Sequence, residues 1–369
     1  MLYQEHGGEI YTGDYRLDFS ANLNPLGMPD SVKAAVRQAS ELADRYPDAQ
    51  CRELKRALSE VCRLPEEYFL CGNGAAELIM ASAQALKPRR ALIALPAFSE
   101  YERALKSAGC AEIRYYSCLR SRGFRIGEDI LDYISPDIDM VFLCNPANPT
   151  GLLTDHELLR KIAEYCREKG VLLVLDECFN ALLQDPAQAT LLKELPENPK
   201  LMILRAFTKS YAMAGLRLGY AVSSCRELLL RIRAGLQTWN VSLPAQLAGI
   251  AALKERGYLE RAGKLICTER LFLREKLSAM GFLLYDSQAN YLFFEGPEDL
   301  AERCAEKGIL IRDCGSCRGL APGCFRIAVK RREENEALCA CLEAVIREDK
   351  TPSAFGLPAE GRAQERQFR

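Results

Sequence analysis

The chain has 369 residues, 49% of them apolar and 27% charged, and its 49 Lys and Arg against 50 Asp and Glu leave a formal net charge of -1. This composition fits a soluble globular protein with room for two ordinary domains. It offers no basic footprint for nucleic acid or an anionic membrane, and no stretch approaches the roughly 18 apolar residues of a membrane helix.

The opening "MLYQEHGGEIYTGDYRLDF" has no basic segment leading into an apolar run, so it does not read as a signal peptide. Sixteen cysteines scattered along the chain read as reduced, mostly buried thiols, which predicts a cytoplasmic, unanchored protein. The first forty residues are loop-rich, with "SANLNPLGMPD" leading into a helix. From about 72 to 222, short apolar runs ("ALIAL", "MVFLC", "VLLVL", "LMIL", "LGYAV") alternate with amphipathic stretches such as "TDHELLRKIAEYCREKG". Continuous apolar runs of this length predict strands buried on both faces, hence an α/β domain with a mainly parallel sheet covered by helices. "TDHELL" reads as a helix start with Thr154 as N-cap and Glu157 as its capping-box partner, placing His156 on a surface turn.

After about 240 the pattern changes to long helical segments, then strand-like "NYLFFEG", a helix, "GILIRDC" and "CFRIAVK". The predicted division is an N-terminal segment (1–40) packing with a small domain, a large domain (41–240), a small α+β domain (241–350) and a frayed polar tail (351–369). Within "RDCGSCRGLAPGC", Cys314, Cys317 and Cys324 form a weak metal motif, and no metal site is predicted from it. His6 and His156 are the only histidines, so histidine-based triads and clusters are nearly excluded.

In a doubly wound sheet, ligands sit beyond the carboxyl ends of the strands. "MVFLC" is followed by "NPANPTG" with Asn148, "VLLVL" by "DE" with Asp176, and "LMIL" by "RAFTK" with Lys209. "LCGNGAAE" puts Gly72 and Gly74 before a helix start, whose free N–H groups make an anion cradle. An amide, a carboxylate, a lysine and an anion site together suit pyridoxal 5′-phosphate. Lys209 would form the Schiff base, Asp176 would pair with the pyridinium nitrogen and Asn148 would donate to the ring oxygen. Thr208, Arg217 and the Gly74–Ala75 helix start would hold the phosphate.

These motifs, with "LDFSANLNPLGMP", "RYPDA", "LKPRRALIALPAFSEY", "ANYL", "ILIRDC" and "FRIAV", resemble the fold-type I pyridoxal-phosphate enzymes, in the aminotransferase branch that includes histidinol-phosphate aminotransferase. The resemblance spans nearly all of the chain except its tail. "HGG", "FSANLNPLG" and the phenylalanine of "DECF" favour the threonine-phosphate decarboxylase family of cobalamin biosynthesis. The resemblance implies a mainly parallel seven-stranded sheet sandwiched by helices, a smaller α+β domain and a homodimer with shared active sites. It also implies Phe98 stacked on the cofactor ring and Tyr46 reaching the cofactor phosphate of the neighbouring subunit. Arg326 would grip the substrate carboxylate; Arg312 and His6 would bind a substrate phosphate, with Gly8 and Asn22 beside them.

Four positions depart from the aminotransferase pattern. Ala206 stands where relatives often carry a hydroxyl, Ala75 and Ala76 replace polar residues, and Phe179 replaces a tyrosine, a change the decarboxylases share. Decarboxylation of L-threonine O-3-phosphate to (R)-1-amino-2-propanol O-2-phosphate is the predicted activity. Transamination of histidinol phosphate or a related amino acid with 2-oxoglutarate is the alternative, since the same residues serve whichever bond stands perpendicular to the cofactor plane. A non-enzymatic binding protein on the same fold is disfavoured by the presence of Lys209 and Asp176.

Overall fold

The computed structural model describes residues 6–350; the predicted tail at 351–369 lies outside the described residues. The N-terminal region contributes β1 (Leu17–Asp18), α1 (Asp30–Ser40) and α2 (Arg52–Cys62). Then follow β2 (Phe69–Gly72), α3 (Ala75–Leu86), β3 (Arg90–Leu95), α4 (Ser99–Ser107), β4 (Glu112–Ser117) and β5 (Met140–Cys144). Next come α5 (His156–Lys169), β6 (Leu172–Asp176), β7 (Leu201–Ala206), the single turn α6 (Phe207–Ser210), β8 (Gly219–Val222) and α7 (Arg226–Ala234). The remainder comprises α8 (Leu243–Leu253), α9 (Tyr258–Ala279), β9 (Leu283–Leu284), β10 (Tyr291–Glu295) and α10 (Leu300–Glu306). It ends with β11 (Ile309–Leu310), β12 (Arg312–Asp313), β13 (Cys324–Ala328) and α11 (Arg332–Lys350).

The large sheet has seven strands in the order β4-β3-β5-β6-β7-β8-β2. From β4 to β7 every pairing is parallel, whereas β8 runs antiparallel to both β7 and β2. The continuous apolar runs follow from the layers. Leu173 and Leu175 of β6 enter one core with Leu54 and Leu58 of α2 and Ile162 of α5. Val174, between them, enters the core on the other face with Leu78 of α3, Leu105 of α4 and Ile232 of α7. Alternate side chains point to opposite faces of a strand, so a strand covered on both sides must be apolar at every position.

Two details differ from the sequence reading. The α5 N-cap is Asp155, whose carboxylate accepts from the Leu158 N–H at 3.0 Å, rather than Thr154. An ionised carboxylate at a helix start gains from the helix dipole as well as from the hydrogen bond. The edge strand β4, "EIRYYS", carries no such apolar run, because only Tyr116 of its residues is buried and Glu112, Arg114 and Ser117 interrupt it.

A second, four-stranded sheet has the order β12-β13-β10-β9, antiparallel throughout. Its core joins Phe294 and Ile327 with Ile266 and Leu273 of α9 and Leu342 of α11. The N-terminal region is tied to this part of the fold: β1 pairs in parallel with β11 as a separate two-stranded sheet, and the Phe19 carbonyl accepts from the Ala328 N–H of β13 at 2.8 Å. Helix α8 instead packs on α1 and α2, with Ala245 and Ala248 in the large-sheet core.

Directly after β6, the fully enclosed Glu177 carboxylate accepts from Arg205 of β7 (2.7 Å), Thr190 (2.8 Å) and the Leu191 N–H (3.0 Å). Removing one partner of such a pair leaves a buried charge unmatched. Glu177→Ala is therefore expected to lower the unfolding free energy by about 3–5 kcal/mol in urea titration, with Glu177→Met/Arg205→Met recovering most of it.

Candidate active site

Asp176 ends β6, Lys209 lies in the turn that follows β7, and Asn148 lies in the loop after β5. All three line one cavity of about 230 Å³ between the carboxyl ends of these strands and the second sheet. Phe98, Thr208, Arg217, Ala75, His6, Asn22, Arg312 and Arg326 complete its wall. Parallel strands deliver their loops to the same edge, which is why residues far apart in sequence meet there.

Asp176 is buried, and its carboxylate accepts from the Tyr101 hydroxyl at 2.6 Å and the Cys178 N–H at 2.9 Å. Tyr101 was missed in the sequence; the signal available was its position three residues after Phe98 on the first turn of α4. Its ring stacks on Phe142 at 5.0 Å, and burial, then the Asp176 charge, push its hydroxyl pKa well up. Tyr101 therefore remains a proton donor and fixes the carboxylate's orientation.

The Lys209 amine is pushed down to about 8, by burial first and then by the Arg326 and Arg217 guanidiniums. At pH 7 about a tenth of it is then the neutral, nucleophilic form, far more than for an ordinary lysine. Asn24 braces the turn, with its backbone N–H on the Lys209 carbonyl (3.1 Å) and its side-chain amide on the Ser210 carbonyl (2.7 Å).

Helix α3 starts at Gly74 with no side-chain cap, leaving first-turn N–H groups at the cavity. At φ +82° and ψ 162° Gly74 adopts a conformation open essentially to glycine alone, and a Cβ there would meet the Arg217 guanidinium at 2.5 Å. The helix start and Arg217 thus form one anion cradle.

On the second sheet, Arg312 and Arg326 are register partners of the β12–β13 pair, both buried and both on the cavity wall. Arg326 donates to the Asn148 side-chain oxygen and to the Ser20 carbonyl (2.8 Å), while its Nε finds no protein partner. Because Asn148 spends its oxygen on Arg326, its NH₂ remains as donor. Asn22 is buried with neither end of its amide bonded, which marks it as awaiting a ligand.

The remaining predicted residues are placed differently. His6 reaches the cavity but pairs with Glu100 at 3.0 Å, its ring centroid 5.6 Å from that of Phe98. Gly8 is not on the wall: its N–H is anchored to the Ser20 hydroxyl at 2.7 Å, and Gly7 and Ser20 line the cavity instead. Gly7 has no room for a side chain, as a Cβ would fall 2.1 Å from the Ser20 carbonyl. Tyr46 is 78% exposed, stacked on Trp239 at 4.4 Å, and does not line the cavity of its own chain. Ala75, Ala76, Ala206 and Phe179 all lie on the wall, as their place in the motifs requires, and Phe179 packs edge-on against Tyr291. Among the described residues no group of three His, Cys, Asp or Glu could hold a metal ion.

An amine of lowered pKa, a clamped carboxylate, a free amide donor and an anion cradle fit pyridoxal 5′-phosphate. The chain belongs to the class I and II aminotransferase family, which it matches over residues 16–342. Threonine-phosphate decarboxylase of Salmonella typhimurium is 39% identical to it, over 94% of this chain and 98% of the relative. Histidinol-phosphate aminotransferase 1 of Cupriavidus pinatubonensis is 33% identical, over 89% and 88%. The crystal structure of histidinol-phosphate aminotransferase from Clostridium acetobutylicum superimposes with a TM-score of 0.83 at 29% identity, covering 90% of this chain and 99% of that one.

Two outcomes are expected. Uptake of pyridoxal 5′-phosphate by the apoprotein should quicken as pH rises through about 8, where Lys209 loses its proton, and borohydride reduction should leave the label on Lys209. A rate flat between pH 7 and 9, or a label elsewhere, would contradict this. Tyr101→Phe should weaken cofactor affinity by about tenfold or more, the worth of a hydrogen bond to a charged group, by absorbance titration.

Proposed function

We propose that this chain decarboxylates L-threonine O-3-phosphate to (R)-1-amino-2-propanol O-2-phosphate, in the synthesis of the corrinoid side chain. The observation that carries this reading is the pair of buried guanidiniums, Arg312 opposite Arg326, facing the Asp176–Lys209 end of the cavity. Two guanidiniums match a substrate bearing two anionic groups, a carboxylate and a phosphate, because each can take an oxyanion in a two-pronged geometry. The 39% identity to a threonine-phosphate decarboxylase over nearly the whole length supports the same substrate.

When bound, pyridoxal 5′-phosphate supplies the electron sink for the pair left behind as the carboxyl group departs. The chain's own residues would do the rest. Arg326, braced by Asn148 and Ser20, holds the carboxylate; Arg312 takes the phosphate with His6 and Asn22, and the Gly7 backbone lies beside them. Held at both ends, the substrate would have little freedom to rotate, so the arginines would decide which bond of its α-carbon is presented for cleavage. Tyr101 and Cys178 fix the Asp176 carboxylate, which would pair with the cofactor's ring nitrogen, and the Lys209 amine, with a pKa of about 8, is suited to give and take a proton near neutral pH.

The exposed Tyr46–Trp239 stack supports a homodimer in which Tyr46 serves the partner's cofactor phosphate, since it does not reach its own chain's cavity. No helix among the described residues is long and apolar enough to cross a membrane; a cytoplasmic location is part of the same proposal.

Incubating cofactor-loaded protein with L-threonine O-3-phosphate and no keto acid should yield carbon dioxide and aminopropanol phosphate in catalytic amounts, read by mass. Arg326→Gln should reduce kcat/KM by about 100-fold or more, the loss of paired charge-assisted hydrogen bonds. Absence of product, with glutamate formed from histidinol phosphate and 2-oxoglutarate, would assign a transaminase.

A further inference from the structure

Four thiols line the cavity, and they fall into two environments. Cys144 and Cys178 flank Asp176, and burial followed by the Asp176 charge pushes both well up, so they remain inert thiols. Cys314 and Cys317 lie at the opposite end, in the turn that leaves β12 two residues after Arg312. The Cys317 N–H donates to the Cys314 carbonyl at 2.9 Å, closing a four-residue turn. Such a turn brings its end Cα atoms within about 7 Å, the range a disulfide spans.

Their surroundings favour reaction. The Cys314 thiol hydrogen-bonds Cys317 and, with Arg312 and Arg326, holds it down at about 6. Cys314 is buried, whereas Cys317 is half-buried and also faces a second, outer groove lined by Glu102, Lys106 and Arg318, a route from solvent that avoids the cavity. The turn is pinned from outside: Arg318 makes a two-pronged ion pair with Glu102 of α4 (2.9 and 3.0 Å). An accessible thiol beside a buried one, among cations, is the arrangement of an attacking and a resolving cysteine.

We propose that Cys314 and Cys317 are a modification site, a dithiol that small disulfides oxidise reversibly to an intramolecular disulfide, at a rate governed by anion occupancy of Arg312 and Arg326. The Cys317 thiolate attacks one sulfur of the small disulfide, a thiolate leaves, and a mixed disulfide remains. Cys314 then loses its proton and attacks the Cys317 sulfur, expelling the second thiolate. The protein gives up two electrons and two protons, and the reagent becomes two thiols. An anion on the arginines offsets the positive field that sustains the Cys317 thiolate, so it slows the first attack. Two other cysteine pairs, Cys51–Cys71 and Cys304–Cys341, are packed in the cores and line no part of the cavity, so they serve as internal controls.

The test uses full-length, cofactor-loaded protein, whose other anion site is filled, and does not depend on which reaction the enzyme catalyses. Protein is exposed to glutathione disulfide with or without inorganic phosphate, alkylated and digested with trypsin. Cleavage after Arg312 and Arg318 releases Asp313–Arg318, which holds Cys314 and Cys317 and no other cysteine. At about pH 5.5, below the Cys317 value of about 6, where the thiolate fraction tracks the pKa, the expected result is a peptide two hydrogens lighter and free of alkyl groups, restored by reductant, formed about three- to tenfold more slowly in saturating phosphate. In Cys314→Ser, glutathione should remain attached at Cys317. Doubly alkylated peptide after prolonged exposure, or oxidation at the same rate with and without phosphate, would overturn the proposal.

Discussion

Lys209, Arg217, Arg312 and Arg326 surround one cavity in which, among the described residues, Asp176 is the one acidic side chain on the wall. Crowding cations in a partly dehydrated space is unfavourable, and the protein registers it in the lowered pKa of Lys209 and in the unmatched Nε of Arg326. The arrangement is sensible only if anions complete it. On the proposed reading, one is the cofactor phosphate, at the Arg217–Gly74 end, and the others belong to the substrate, at the Arg312–Arg326 end. The chemistry is set between them, where Asp176 and Lys209 face the same space.

Each part of the fold meets one requirement of that charge pattern. The parallel strands of the large sheet bring Asn148, Asp176 and Lys209 to a common edge, and the helix start after β2 adds N–H donors without adding another full charge. The antiparallel pairing of β12 and β13 places two arginines side by side, held by packing with α9 and α11 rather than by the large sheet. The N-terminal region closes the structure between them: β1 pairs with β11, Phe19 bonds β13, and Ser20 and Asn22 are carried to the cavity wall. Arg326, bonded both to Asn148 and to Ser20, links all three parts.

The legible portions of the fold were those with a strong period. Strands β3, β5, β6 and β7 were visible because enclosure on both faces leaves them largely apolar, and the polar residues that trail β5, β6 and β7 do meet on one cavity wall. The edge strand β4 was hidden by its solvent-facing residues, and the antiparallel direction of β8 has no signature in a four-residue apolar run. Resemblance, rather than pattern, supplied Arg312 and Arg326, since neither residue differs locally from a surface charge. Tyr101 escaped notice because its role depends on a contact 75 residues away with Asp176. Gly7 and Ser20 were missed in favour of Gly8 for a similar reason: which backbone faces the cavity is decided by the hydrogen bond between Gly8 and Ser20.

The most direct measurement is the ratio of kcat/KM for L-threonine O-3-phosphate to that for L-threonine, in wild type and in Arg312→Gln. If the cationic end of the cavity exists to hold a substrate phosphate, the wild-type ratio should be about 100 or more and should fall by at least about tenfold in the variant. A wild-type ratio near one, or a high ratio that survives the loss of Arg312, would contradict the assignment of that end of the cavity.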